Sequence, residues 1–230
     1  MEDDALSINS LVLSSGVFGP QQIISTAVDV ASDVFAADMD GDGDMDVLSA
    51  SEGDDRIAWY ENDGSQNFTI HTITTGADRA YSLFAADMDG DGDMDVLSAS
   101  AFDDKIAWYE NDGSQNFTTH TITTAADGAH SVFTADVDGD GDIDVLSASF
   151  NDDTIAWYEN DGNQNFAIHS ITTRANGAKK VFAADVDSDG DIDVLSASRT
   201  DDTIAWYEND GAGNFTIHTI SSRADQVESV

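Results

Sequence analysis

Short apolar runs, each too brief to make a helix, recur along this chain at a fixed interval. Between residues 82 and 122 they are Ser82-Leu83-Phe84-Ala85-Ala86, Asp95-Val96-Leu97-Ser98-Ala99-Ser100, Ile106-Ala107-Trp108-Tyr109-Glu110 and Phe117-Thr118-Thr119-His120-Thr121-Ile122. Runs of five or six residues rich in β-branched and aromatic side chains read as strands. Asn111-Asp112-Gly113, between the last two, is a hairpin signal. No window carries helical periodicity over a useful length, and the chain has a single proline. The set returns every 49 residues. A period near fifty with four strands per unit predicts an all-β fold, a β-propeller of four-stranded antiparallel blades. The Ala-Ala pair of the first strand suits the crowded position nearest the axis, and Trp and Tyr of the third supply bulk between blades.

The two ends of the chain predict how the ring closes. Asp225-Gln226-Val227-Glu228-Ser229-Val230 aligns with the first strand of a unit, Val230 matching Val181. Asp4-Ala5-Leu6-Ser7-Ile8 resembles the second strand, Leu11-Val12-Leu13 the third, and Phe18 to Ile24 the fourth. The expectation is one domain of five blades. Residues 1–24 supply the outer strands of the closing blade, 25–74, 75–123, 124–172 and 173–220 form four complete blades, and 221–230 supply the closing blade's inner strand. Such closure removes exposed sheet edges.

Between the first and second strands of each complete unit lies an acidic loop. In the first it reads Asp38-Met39-Asp40-Gly41-Asp42-Gly43-Asp44-Met45-Asp46, and its copies begin at Asp87, Asp136 and Asp185. Five carboxylates within nine residues repel one another strongly at neutral pH, so a folded chain with four such loops calls for cations. Calcium suits oxygen-only donors in flexible geometry, and the expectation is about four Ca2+, one per loop. Side chains at positions 1, 3, 5 and 9 are expected to converge: Asp38, Asp40, Asp42 and Asp46; Asp87, Asp89, Asp91 and Asp95; Asp136, Asp138, Asp140 and Asp144; Asp185, Asp187, Asp189 and Asp193. Position 7 (Asp44, Asp93, Asp142, Asp191) offers its backbone carbonyl. Position 6 is Gly43, Gly92, Gly141 and Gly190, as a positive φ requires, whereas position 4 is glycine three times and Ser188 once. An EF-hand is excluded, because position 12 is Ser49, Ser98, Ser147 or Ser196 and not glutamate, and the flanks are β-type.

Composition narrows the partners. With 230 residues, 40% of them hydrophobic, the chain can bury a core, and its formal charge is -38. Four calcium ions would bring that only to -30, so nucleic acid and anionic membrane surfaces are excluded as like-charged partners. There is no cysteine, hence no disulfide, thiolate site or cysteine nucleophile. No segment reaches membrane-spanning length, and residues 1–20 lack the basic start and apolar core of a signal peptide. Loops of this kind fill where calcium is millimolar, so an extracellular or cell-surface setting is expected. The chain is expected to be a monomer, although near-identical blades invite strand swapping.

The unit V-F-A-A-D-x-D-G-D-G-D-x-D-V-L-S-A-S, followed by I-A-W-Y-E-N-D-G and then N-F, resembles the FG-GAP or VCBS repeat, the calcium-loop blade of integrin α-subunit propellers and of many bacterial surface proteins. The resemblance covers nearly the whole chain and implies that the loops lie on the lower face. Blade number departs from integrins, and no accompanying domain is present, so adhesion does not carry over with the loop.

The expected function is non-enzymatic binding or adhesion, with three alternatives: a lectin with sugar pockets between blades, a ligand-free engineered repeat, and a polysaccharide-active enzyme module. Differences between units gather in Ser51-Glu52-Gly53, Ala101-Phe102, Phe150-Asn151 and Arg199-Thr200, and in Arg79-Ala80-Tyr81, Ala129-His130 and Lys179-Lys180. These fall on the upper face, where a glycan or protein ligand is expected if there is one. Asp54-Asp55 and its three copies read as turns and not as an acid/base pair, because a catalytic site is normally unique. His71, His120, His169 and His218 read as exposed strand residues, and Trp59, Trp108, Trp157 and Trp206 as core rather than sugar platforms. Asn67, Asn116 and Asn214 stand in N-F-T sequons.

Overall fold

A computed structural model describes residues 22–230. Among these residues the chain forms sixteen strands in four antiparallel sheets. The first sheet comprises β1 (Ala31–Ala37), β2 (Asp46–Ser51), β3 (Arg56–Asn62) and β4 (Phe68–Thr74). The second holds β5 (Ala80–Ala86), β6 (Asp95–Ser100), β7 (Lys105–Asn111) and β8 (Phe117–Thr123). The third holds β9 (Ala129–Ala135), β10 (Asp144–Ser149), β11 (Thr154–Asn160) and β12 (Phe166–Thr172), and the fourth β13 (Ala178–Ala184), β14 (Asp193–Ser198), β15 (Thr203–Asn209) and β16 (Phe215–Ser221). Strands follow chain order in each sheet, as short hairpin connections dictate. Register repeats from sheet to sheet: Leu48 faces Trp59 and Trp59 faces His71, just as Leu97 faces Trp108 and Trp108 faces His120.

The apolar core lies in three layers, one between each pair of successive sheets. The first joins Leu48, Ile57 and Trp59 to Leu83, Val96 and Tyr109 across the gap. The other two repeat the arrangement between the second and third sheets and between the third and fourth. The two middle sheets have both faces covered, which is why β6 and β10 are buried along their whole length, whereas β1 of the first sheet is largely exposed. The sheets are therefore blades of a β-propeller, with β1, β5, β9 and β13 innermost. These inner strands meet through a row of rings, Phe35, Phe84, Phe133 and Phe182, with centroids 4.7 to 4.8 Å apart. The sequence pattern singles out the alanines here and overlooks the phenylalanines.

The expected N-terminal strands at 4–8 and 11–13, and most of the one ending at Ile24, lie outside the described residues. Residues 225–226 make a turn, and 227–230 continue without strand pairing among the described residues.

Candidate metal centres

Each acidic loop runs from the end of an inner strand to the start of the next. Its own carboxylates fold it. Asp38 accepts from the amides of Gly41 at 2.9 Å and Gly43 at 3.0 Å, Asp40 from Asp42, and Asp42 from Asp44 at 2.8 Å. The second and third loops repeat all four bonds. Position 6 has φ of 95°, 98°, 99° and 103° at Gly43, Gly92, Gly141 and Gly190, whereas Ser188 takes position 4 at 67°, close to the 73° of Gly41. A side chain is thus accepted at position 4, in the ordinary left-handed region, and position 6 keeps glycine.

Three carboxylates converge in every loop. One oxygen from each of Asp87, Asp89 and Asp95 lies within 4.8 Å of the others, and the same holds for Asp136, Asp138 and Asp144 and for Asp185, Asp187 and Asp193. In the first loop the group is Asp38, Asp40 and Asp42. Positions 1 and 3 therefore join every group, position 9 joins three, and position 5 joins one. Burial, reinforced by neighbouring carboxylates, holds Asp40, Asp89 and Asp138 above the ordinary aspartate value. An all-oxygen, all-anionic donor set of this kind fits a metal ion.

Position 9 has a second duty that the motif alone does not reveal. Asp46, Asp95, Asp144 and Asp193 are wholly buried. One oxygen of Asp95 accepts from the Met88 amide at 2.9 Å, and the other from the Asn111 amide at 2.8 Å. Asp46, Asp144 and Asp193 make the equivalent pair of bonds. Burial pushes Asp95 and Asp144 up to about 6 against the lowering effect of these amides. Both belong to the middle blades, with protein on either side. The Trp108 and Trp157 indoles stand near enough to oppose the shift slightly, yet neither N–H reaches hydrogen-bond geometry.

The Asn-Asp-Gly turn closes over the loop. The position-7 carboxylate of Asp44, Asp93, Asp142 or Asp191 packs against Gly64, Gly113, Gly162 or Gly211, where a Cβ would meet its oxygen at 2.3 to 2.6 Å. Asn111 Nδ2 donates to Met39 O of the preceding blade at 3.1 Å, and Asn160 and Asn209 reach back in the same way. Loop and turn share one face, and the asparagine ties that face together from blade to blade.

The remaining repeated residues have structural partners. His71 is not free on its strand. It stacks on Trp59 with centroids 4.4 Å apart and bonds Glu61 at 2.7 Å, and His120, His169 and His218 do likewise. Asp55, Asp104, Asp153 and Asp202 form turns whose carboxylates accept from the backbone of the next blade at Arg79, Gly128, Gly177 and Gln226. The sequon residues Asn67, Asn116 and Asn214 are bonded to Asp63, Asp112 and Asp210.

The fold and these loops define a propeller built from acidic-loop blades. The chain belongs to the FG-GAP-like repeat family, whose model matches residues 38–98, 87–147, 136–196 and 185–230. No curated protein matches it significantly. Among solved structures it is similar to a periplasmic gluconolactonase of Pseudomonas aeruginosa, with 16% identity, TM-score 0.56, and 83% of this chain and 54% of that one covered. A putative 6-phosphogluconolactonase from Bacteroides fragilis matches with 15% identity and TM-score 0.60 over 86% and 56% of the two chains. An auxiliary nutrient binding protein from Bacteroides ovatus matches with 13% identity and TM-score 0.56 over 85% and 48%. The chain thus spans about half the length of these structures, and at such identities the likeness is one of fold.

These findings correct the functional expectation. A non-enzymatic adhesion module was expected, whereas the propellers with this fold include proteins named as lactonases. The tryptophan form of the lectin alternative loses its platforms on geometry as well. Trp59, Trp108 and Trp157 are at most 4% exposed, and a histidine already stacks on each. Trp206 is partly buried and carries His218 in the same way.

Proposed function

We propose that the chain is a calcium-dependent propeller in which each acidic loop takes up one Ca2+. The observation that carries this reading is the convergence of three carboxylate oxygens within 4.8 Å in every blade. None of those carboxylates has an ion-pair partner among the described residues. Uncompensated anions held this close need a cation, and calcium accepts a flexible oxygen shell that magnesium does not. The bound ion supplies positive charge. The chain supplies the frame: Asp95 fixes the loop's first turn through Met88 and the end of β7 through Asn111, so charge neutralisation at the loop is felt by both elements. Such sites fill at the millimolar calcium found outside cells, which favours an extracellular setting. Equilibrium dialysis of the whole chain against millimolar calcium tests the reading. About four ions per chain are expected, and a chain that retains none would refute it.

A further inference from the structure

The face away from the loops breaks the repeat at one position. Residues 49 apart at the start of successive inner strands are Ser32, Tyr81, His130 and Lys179, and the same spacing reaches Glu228. Five equivalent positions therefore hold five different side chains, in a chain whose loops repeat almost letter for letter. In each of the four blades this residue is the extra one of a β-bulge. The register of β5 with β6 shifts between Ala80 and Ser82, leaving Tyr81 unpaired, and β1, β9 and β13 shift at the same place. A bulge turns its extra side chain out of the ladder. Here all five turn toward one cleft of about 200 Å³, joined by Lys180.

The groups in that cleft are unequally engaged. Asp33 accepts from Ser82 Oγ and from the Leu83 amide, both at 3.1 Å. Glu228 is paired with Arg199 at 3.2 Å and Lys179 at 3.8 Å. Lys180 has no ion-pair partner among the described residues, and the cleft's two lysines are matched in number by Asp33 and Glu228, so Lys180 is its one lysine left free to meet an incoming anion. Tyr81 and His130 stack with centroids 4.3 Å apart and planes 13° from parallel, making a flat wall. His130 Nδ1 lies 2.8 Å from Gly128 O. A carbonyl can only accept, so Nδ1 carries the proton and Nε2 remains as an acceptor. Burial holds His130 below its ordinary value, and the charge of Lys179 acts the same way, which keeps the ring neutral at pH 7.

We infer that this cleft binds one small hydroxylated carboxylate, its charge held by Lys180 and its hydroxyls by the Tyr81 hydroxyl and His130 Nε2. The size agrees, since a cleft of about 200 Å³ is below that of drug-sized ligand sites. This proposal stands apart from the calcium reading, because it uses none of the loop residues.

Isothermal titration calorimetry on the calcium-loaded chain, with gluconate as probe and glucitol as its uncharged counterpart, tests it. One gluconate per chain is expected, with no measurable binding of glucitol. Lys180→Met should weaken gluconate at least tenfold, Tyr81→Phe should weaken it less while keeping the ring stack, and the remote Arg223→Gln should leave it unchanged. Lys180 and Tyr81 are only partly buried, and thermal midpoints equal to that of the parent chain would establish that both variants fold. Absence of gluconate binding, equal binding of glucitol, or full affinity in a folded Lys180→Met chain would overturn the proposal.

Discussion

Each blade carries two ends that duplication has treated differently. At the loop end, Asp46, Asp95, Asp144 and Asp193 are identical, buried, and bonded to the same two amides in every blade. At the other end of the inner strand stand Ser32, Tyr81, His130 and Lys179, which share only a backbone bulge. The difference lies in what each side chain does for the backbone. A carboxylate with both oxygens committed leaves no room for substitution. A bulged residue outside the ladder has no such duty, so its chemistry is free to differ from blade to blade.

The comparison can be broken most directly by removing metal. If four sites fill only in the folded chain, each contributes about 2.7 kcal/mol at calcium one hundredfold above its Kd. Chelation should then lower the thermal midpoint by about 20–40 °C, using roughly 2–4 °C per kcal/mol for a chain of this size. An unchanged midpoint would leave the loops as turns and nothing more. Next in size is Asp144→Asn, which replaces one accepting oxygen with a donor facing a buried amide. It should cost about 2–4 kcal/mol in urea unfolding, several times the effect of Asp142→Asn in the same loop. Equal losses would show that position 9 has no special frame role.

A pH series sharpens the contrast further. In the calcium-free chain Asp95 and Asp144 sit near 6, against 3.8 for an ordinary aspartate, so the folded state binds protons more tightly than the unfolded one. Their stabilising contribution is fully present below about pH 4 and is lost as pH rises through about 6. Calcium reverses the order, because the ion competes with the proton, and the gain in midpoint on adding calcium should grow as pH rises through 6. A calcium effect independent of pH between 5 and 7 would contradict this. The smallest effect concerns two glycines of one loop. Gly92→Ala, at φ 98°, should cost about 1–2 kcal/mol, and Gly90→Ser, at φ 76°, less, since Ser188 already occupies that position in the fourth loop. The reverse order in denaturant melts would show that backbone strain does not decide these positions.

Much of this was legible in the residues. Strand limits in the second blade are predicted to within a residue or two, because apolar runs bounded by Gly and Asp leave few alternatives. The acidic loops and the glycine rule at position 6 are local matters of spacing, which a linear chain displays openly. What needed the fold was anything set by register or by a neighbouring blade. The His71 stack on Trp59 depends on which residues of β3 and β4 face each other. The double duty of Asp95 depends on Asn111, sixteen residues away. Variation at Tyr81, His130 and Lys179 was visible as a difference between units, but a bulge exists only relative to a partner strand. Nothing in one blade's letters tells that five such positions share a cleft.

The corner aspartates leave one more consequence. Asp55, Asp104, Asp153 and Asp202 each grip a backbone amide 24 residues further on, always in the forward direction. A chain emerging from the ribosome therefore cannot fasten a blade until its successor has begun to appear, and every fastening made in this way also prepares the seat for the next. During synthesis the blades are therefore fastened in chain order.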